Sequence, residues 1–268
     1  MPAIKTITQT YKEHKKVFLK HLRGAKSFDK ERVHKLRVEI KRQRFLFKFL
    51  AVLSKNEFKK KKAAKLFSPL FKCAGEIRTT ELNLQLSKNY RVKAMEIFAQ
   101  SLETRKKQNE KNLFKQIKDF DKNKFEELSK DVVHFFEKEN KNAIKRQGKN
   151  YVKKISSEIR LSLSGINDDE KLHEFRKKLK DLKTIASFLE DRPTENEQNQ
   201  TLSAVKIFEE KIGEWHDRVV LTHELEQFLK NNKKNKNVSS LSATIVKIKS
   251  QNEANKKTII KEVKILKF

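Results

Sequence analysis

Apolar residues recur along this chain at three- and four-residue steps almost from end to end, which places one apolar stripe on each of a series of helices. The spacing predicts helices over residues 5–23, stopping at Gly24, then from a cap at Ser27 or Asp29 to 53, over 58–87 and over 90–120. The stretch 120–124 is polar and marks a boundary. Beyond it, 125–163 reads as one or two helices ending near Gly165. Residues 167–169 cap a helix to about 190, with Asp and Glu suited to the positive end of its dipole. Arg192, Pro193 and Thr194 break the chain, a further helix runs to about 229, 231–240 is a polar loop, and 241–266 closes the chain. The expectation is all-α, with about four helices in each half.

The halves resemble one another. Val33, His34, Leu36, Arg37, Ile40, Lys41 and Arg44 follow the pattern apolar-His-x-apolar-Arg-x-x-apolar-Lys-x-x-basic. Leu172, His173, Phe175, Arg176, Leu179, Lys180 and Lys183 follow it again, 139 positions later. About 40 residues after each histidine comes a second pair of matching segments, Ala74-Gly75-Glu76-Ile77-Arg78-Thr79 and Ile212-Gly213-Glu214-Trp215-His216-Asp217. Two matches in the same order at nearly the same separation point to a duplication. The division expected is a first helical bundle over 1–121 and a second over 122–268.

On a wheel of ~100° per residue, His34, Arg37, Lys41, Arg44 and Lys48 share an arc of about 80°. Leu36, Ile40, Phe47 and Leu50 face the core, while Val38, Phe45, Phe49 and Val52 lie on the far side of the basic arc. Lys35, Glu39 and Arg42 form the expected solvent edge. The second copy places His173, Arg176, Lys180 and Lys183 on the arc, Phe175, Leu179, Leu182 and Ala186 in the core, and Phe188 across the arc. A cationic stripe with apolar walls implies a groove whose low-dielectric sides strengthen its field. Four of the 13 arginines (Arg37, Arg42, Arg44 and Arg176) fall in these two short segments, and the planar guanidinium suits phosphate oxygens. In the helix before each copy, Lys12, Lys16 and Lys20, and again Lys145, Lys149 and Lys153, repeat every four residues. Such spacing is mildly repulsive unless an anion bridges the charges; a merely solvated face would look the same.

Composition sharpens this. Five Gly and three Pro in 268 residues are too few for the turns of a sheet protein, and 37% charged residues leave only a thin core under each helix. The formal net charge of +29 attracts polyanions and costs folding free energy by self-repulsion. One cysteine, Cys73, excludes an intramolecular disulfide and a multi-cysteine metal site. The first 20 residues hold no apolar stretch of signal-peptide length, and no run approaches the ~18–20 apolar residues of a membrane span, so the expected location is the cytoplasm, with no membrane partner.

Enzyme chemistry is not indicated. The closest histidine pairs, His14/His21 and His216/His223, are seven apart, with no carboxylate or cysteine at ligand spacing, so no metal and no cofactor are expected. Glu76 and Glu214 recur beside the two glycines and read better as buttresses for neighbouring cations than as general bases. A nucleic-acid binder is the serious rival. It would interleave exposed aromatics for base stacking, whereas the 19 Phe here fall mostly on core-like positions, so nucleic acid is expected only as a nonspecific partner.

The pattern from His34 to Arg44, with the Gly-Glu-x-Arg segment at 75–78, resembles the CHAD domain, the conserved histidine α-helical domain. The second copy, with residues 213–217, resembles the second half of the same domain, so the likeness covers nearly the whole chain. It implies two pseudo-symmetric four-helix bundles and non-catalytic binding of inorganic polyphosphate along basic helix surfaces near a central cavity. It also implies targeting to polyphosphate granules. Some relatives carry an attached CYTH triphosphatase domain, for which these 268 residues leave no length. By matching positions, the family's basic residues fall on His34, Arg37, Lys41, Arg42 and Arg44, then on His173, Arg176, Lys180 and Lys183. The Arg-Asp pair usual in the later segment reads Arg78-Thr79 and then His216-Asp217, and Asp181 stands where the first copy has Arg42. Either the second half binds more weakly, or Asp181 faces solvent.

Overall fold

A computed structural model describes residues 7–55, 57–58, 60–139, 141–163, 165–166, 168–189, 197–232 and 235–265. Within them the chain forms nine α-helices and no strand: α1 (Ile7–Gly24), α2 (Lys30–Leu53), α3 (Lys60–Ser87), α4 (Lys93–Lys118), α5 (Lys122–Lys138), α6 (Lys141–Leu163), α7 (Asp169–Leu189), α8 (Glu197–Asn231) and α9 (Leu241–Ile265). The all-α expectation holds. Expected and observed helix ends differ by a few residues, as terminal turns fray. The stretch 125–163 resolves into two helices, α5 and α6.

Local chemistry explains the boundaries. The Asp29 carboxylate accepts from the Glu31 and Arg32 amides at 3.1 and 3.0 Å, satisfying two donors that open α2. Asp121 does the same for Lys124 ahead of α5, and Asp168 for Lys171 ahead of α7. Gly24, expected to stop α1, is its last residue. The reversal comes after a short 3-10 turn (Ala25–Ser27), at Phe28, whose φ of 55° is left-handed. The Phe28 ring packs edge-on to Phe114 at 6.3 Å, a tertiary contact that offsets the strain of that backbone.

By packing, the chain divides into two units that each draw on both sequence halves. The first comprises Met1–Thr79, Lys106–Val152 and Thr184–Asp191; the second comprises Thr80–Arg105, Lys153–Lys183 and Arg192–Phe268. In the first, Phe18, Phe67, Phe120 and Phe125 pack mostly edge-to-face, with centroids 5.1–5.9 Å apart. The Tyr11 hydroxyl donates to Ser129 at 2.9 Å beside this cluster, and burial pushes its pKa up to about 12. In the second unit Ala94, Met95, Phe98 and Leu102 of α4 pack with Leu221 and Leu225 of α8 and Leu241, Ile245 and Ile248 of α9.

The core stripes predicted for α2 and α7 are buried: Leu36, Ile40, Phe47 and Leu50, and Phe175, Leu179 and Leu182. The Ala186 and Phe188 side chains lie outside the described residues. Two expectations for α2 are corrected. Glu39, placed on the solvent edge, is 2% exposed, because helix α1 covers that side and presents His14 to it. Phe45 and Phe49 are core residues as well, while Val52, grouped with them, is exposed. α2 is buried over most of its circumference and keeps a narrow accessible strip.

Candidate anion-binding helix faces

That strip carries the basic arc. His34, Lys41 and Lys48 are exposed along it, and Arg37 and Arg44 are half-buried at its margin. Arg37 Nη1 donates to the carbonyl oxygen of Phe71 at 3.1 Å, and its guanidinium carbon lies 4.3 Å from the Phe71 ring centroid. The Arg44 guanidinium lies 4.7 Å from the same ring. The reason is one turn further along α3. Helical Cβ atoms tilt toward the N-terminus, so a side chain at residue 75 would cover the Phe71 carbonyl. Gly75 has none, which leaves the second lone pair of that oxygen open to Arg37. Arg78 follows on the same helix. Burial, then the charges of Arg78 and Arg44, hold Arg37 below the usual guanidinium pKa. Burial, then the charges of Arg78, Lys41 and Arg37, lower the His34 pKa against the opposing pull of Glu31. Among the described residues no carboxylate pairs with Arg37, Arg44 or Arg78. The face is a cluster of cations, two of which, Arg37 and Arg44, lie over one aromatic ring.

The second copy builds the same contact with a different side chain. Arg176 Nε donates to the Glu209 carbonyl oxygen at 3.3 Å, and Gly213 supplies the gap above it. Position 209 stands four before Gly213, as 71 stands four before Gly75. Here the side chain is a carboxylate. It lies 3.6 Å from Arg176 Nη2, 3.6 Å from Lys180 Nζ and 3.4 Å from Lys183 Nζ. Burial and Arg176 lower the Lys180 pKa, opposed by Glu209 and Asp217. The His173 and His216 rings lie against one another, tilted, with centroids 4.6 Å apart, and His173 Nδ1 is buried with no hydrogen-bond partner among the described residues. Burial, then the charges of His173, Arg176 and Lys180, push the His216 pKa down to about 4. The His173 pKa is lowered by burial, then by Lys177, with Glu174 opposing.

Other predicted residues stand apart. Arg42 turns to the opposite edge of α2 and pairs with Glu39, which also meets His14 Nδ1 at 3.1 Å. Burial alone would raise the Glu39 pKa, but His14 and Arg42 outweigh it and the net shift is downward. Lys12, Lys16 and Lys20 are exposed on α1, with Lys12 paired to Glu137 at 3.4 Å. Lys145, Lys149 and Lys153 are exposed along α6, and Asp181 is half-buried. Phe71, Arg78 and Glu209 were not singled out as site residues from the sequence. The repeat carried a signal for two of them, since Phe71 and Glu209 precede the duplicated glycines by one helical turn.

Among the described residues there is no group of three or more His, Cys, Asp or Glu side chains that could hold a metal ion. No described helix is long and apolar enough to cross a membrane. The family model of the CHAD domain matches residues 10–226. The crystal structure of the CHAD domain from the plant Ricinus communis superposes with a TM-score of 0.73 and 14% sequence identity, over 100% of this chain and 94% of that one. That likeness concerns the fold alone. No curated protein matches the chain.

Proposed function

The chain belongs to the CHAD-domain family, and from that premise we propose that it binds inorganic polyphosphate without catalysis, through the basic faces of α2 and α7. The observation that carries the reading is the pair Arg37 and Arg44 over the Phe71 ring, with the charge of Arg78 acting on both Arg37 and His34 beside it. Burial and mutual repulsion disfavour positive charge there, and a bound oxyanion would reverse the local field. Guanidinium groups match phosphate oxygens in geometry as well as charge, and a chain of phosphates lets several weak contacts add. Lys41 and Lys48, exposed along the same strip of α2, extend the positive surface for a long ligand. Localisation to polyphosphate granules is part of the same proposal.

Nucleic acid fits less well. Base-stacking platforms need accessible rings, and the best-placed ring, Phe71, already faces two guanidinium groups. The deciding experiment is competition at near-physiological salt between long-chain polyphosphate, RNA and short phosphates. Polyphosphate should displace RNA at lower phosphate-equivalent concentration; preferential retention of RNA would overturn the reading.

A further inference from the structure

The two copies differ at the one position where each arginine is docked. In the first, the residue four before the glycine is Phe71, so the carbonyl that accepts from Arg37 comes with a ring. In the second it is Glu209, so the carbonyl that accepts from Arg176 comes with a carboxylate. That carboxylate is largely buried, with its side chain 15% exposed, and reaches three cations: Arg176, Lys180 and Lys183. They are the second-copy counterparts of Arg37, Lys41 and Arg44. An anion held among three basic side chains stands where a ligand's oxyanion would have to bind.

We propose that Glu209 fills the anion subsite of the second copy from within, so that a phosphate-type ligand enters at the open Arg37–Arg44–Arg78 subsite and engages the second only by displacing a carboxylate. This refines the polyphosphate reading and rests on it for the identity of the ligand. The physical argument is competition. Each of Arg176, Lys180 and Lys183 already has an oxyanion partner 3.4–3.6 Å away, so an incoming phosphate gains only the difference between two ion pairs. At Arg37 and Arg44 the phosphate displaces water and leaves the cation–π contact with Phe71 available. Asp217 adds a second negative field at Lys180.

The test uses the full chain, long-chain polyphosphate as probe, titration calorimetry at several salt concentrations, and circular dichroism to confirm helicity. Glu209→Gln keeps the shape of the side chain and removes its charge. It should tighten binding about tenfold and steepen the slope of log affinity against log salt by roughly 1–2, since up to three cations are released at ~0.7 per contact. Phe71→Glu, which gives the first copy the second's arrangement, should weaken binding about tenfold. If the wild type binds and neither variant changes affinity, Glu209 is an ordinary internal ion pair and the inference fails while the polyphosphate reading stands. If the wild type does not bind but Glu209→Gln does, the carboxylate masks the second subsite, but entry at the Arg37–Arg44–Arg78 subsite and the functional reading both fall. If neither binds, both are wrong. Should Glu209→Gln lose helicity, Phe71→Glu decides alone, and an affinity equal to wild type would overturn the inference.

Discussion

Arg37 Nη1 stands 2.5 Å from the point at which a Cβ on Gly75 would sit. Arg176 Nη2 stands 2.6 Å from the same point on Gly213, so the duplicated glycines serve one purpose twice. Each opens a helical carbonyl to a guanidinium on a neighbouring helix. The glycines are kept against their own helix propensity, which costs ~1 kcal/mol apiece relative to alanine.

Gly75→Ala should therefore separate folding from binding. The added methyl recovers up to ~1 kcal/mol of helix propensity and pushes only the far end of a flexible side chain. Melting temperature should stay within a few degrees or rise. Polyphosphate affinity should fall about tenfold, the scale of one charge-assisted contact of ~1.5 kcal/mol. Calorimetry on folded protein reads both; an unchanged affinity would mean that the docked position of Arg37 does not matter.

Replacing Arg37 and Arg176 together by alanine should lower affinity roughly tenfold or more, with loss of helicity confined to ~1–2 kcal/mol of stability. The control pair is Lys35→Ala with Lys177→Ala. These lysines are exposed and, among the described residues, pair within their own helices, with Glu31 and Glu174. Their removal should cost less than about threefold, since such pairs contribute little. Equal losses from the two double variants would show that net charge rather than a site governs binding.

Salt should weaken binding steeply. If six to ten phosphates are neutralised, log affinity should fall against log salt with a slope of roughly −4 to −7 at ~0.7 per contact. Orthophosphate and pyrophosphate touch one or two positions and should bind far more weakly than long chains. A nearly flat titration across salt concentrations would contradict an electrostatic, cumulative mode.

Affinity should also strengthen as pH falls below about 6.5. In the free protein His34, His173 and His216 all have lowered pKa values, first through burial and then through neighbouring cations. A bound polyanion reverses the second cause, so the complex holds more protons than the free protein, and lower pH favours it. Without ligand the sign is opposite: the unfolded chain binds more protons, so stability declines from about pH 6.5 toward 4, the value for His216. Calorimetry near pH 6.5 in buffers of different ionisation enthalpy measures the uptake directly. His34→Gln with His173→Gln should reduce it, and uptake that is absent or unaltered by the variant would remove these histidines from the linkage.

Helix after helix could be read from the spacing of apolar residues, because in a chain with so few breakers the 3.6-residue period has little competition. The core positions Leu36, Ile40, Phe175 and Leu179 followed from that period alone, and so did the duplication, since it is written in the order of residues. Burial around α2 did not. Glu39 sits on a polar edge of the wheel, and only the packing of α1, which brings His14 against it, makes that edge interior. The partners of the arginines were equally out of reach. Whether Arg37 meets a ring or Arg176 a carboxylate depends on which side chain of a distant helix stands one turn before a glycine. The chain's own pattern determined which helix faces are basic; the fold decided which of those charges already have an internal partner, because a helical wheel carries the phase of a residue but not what packs against it.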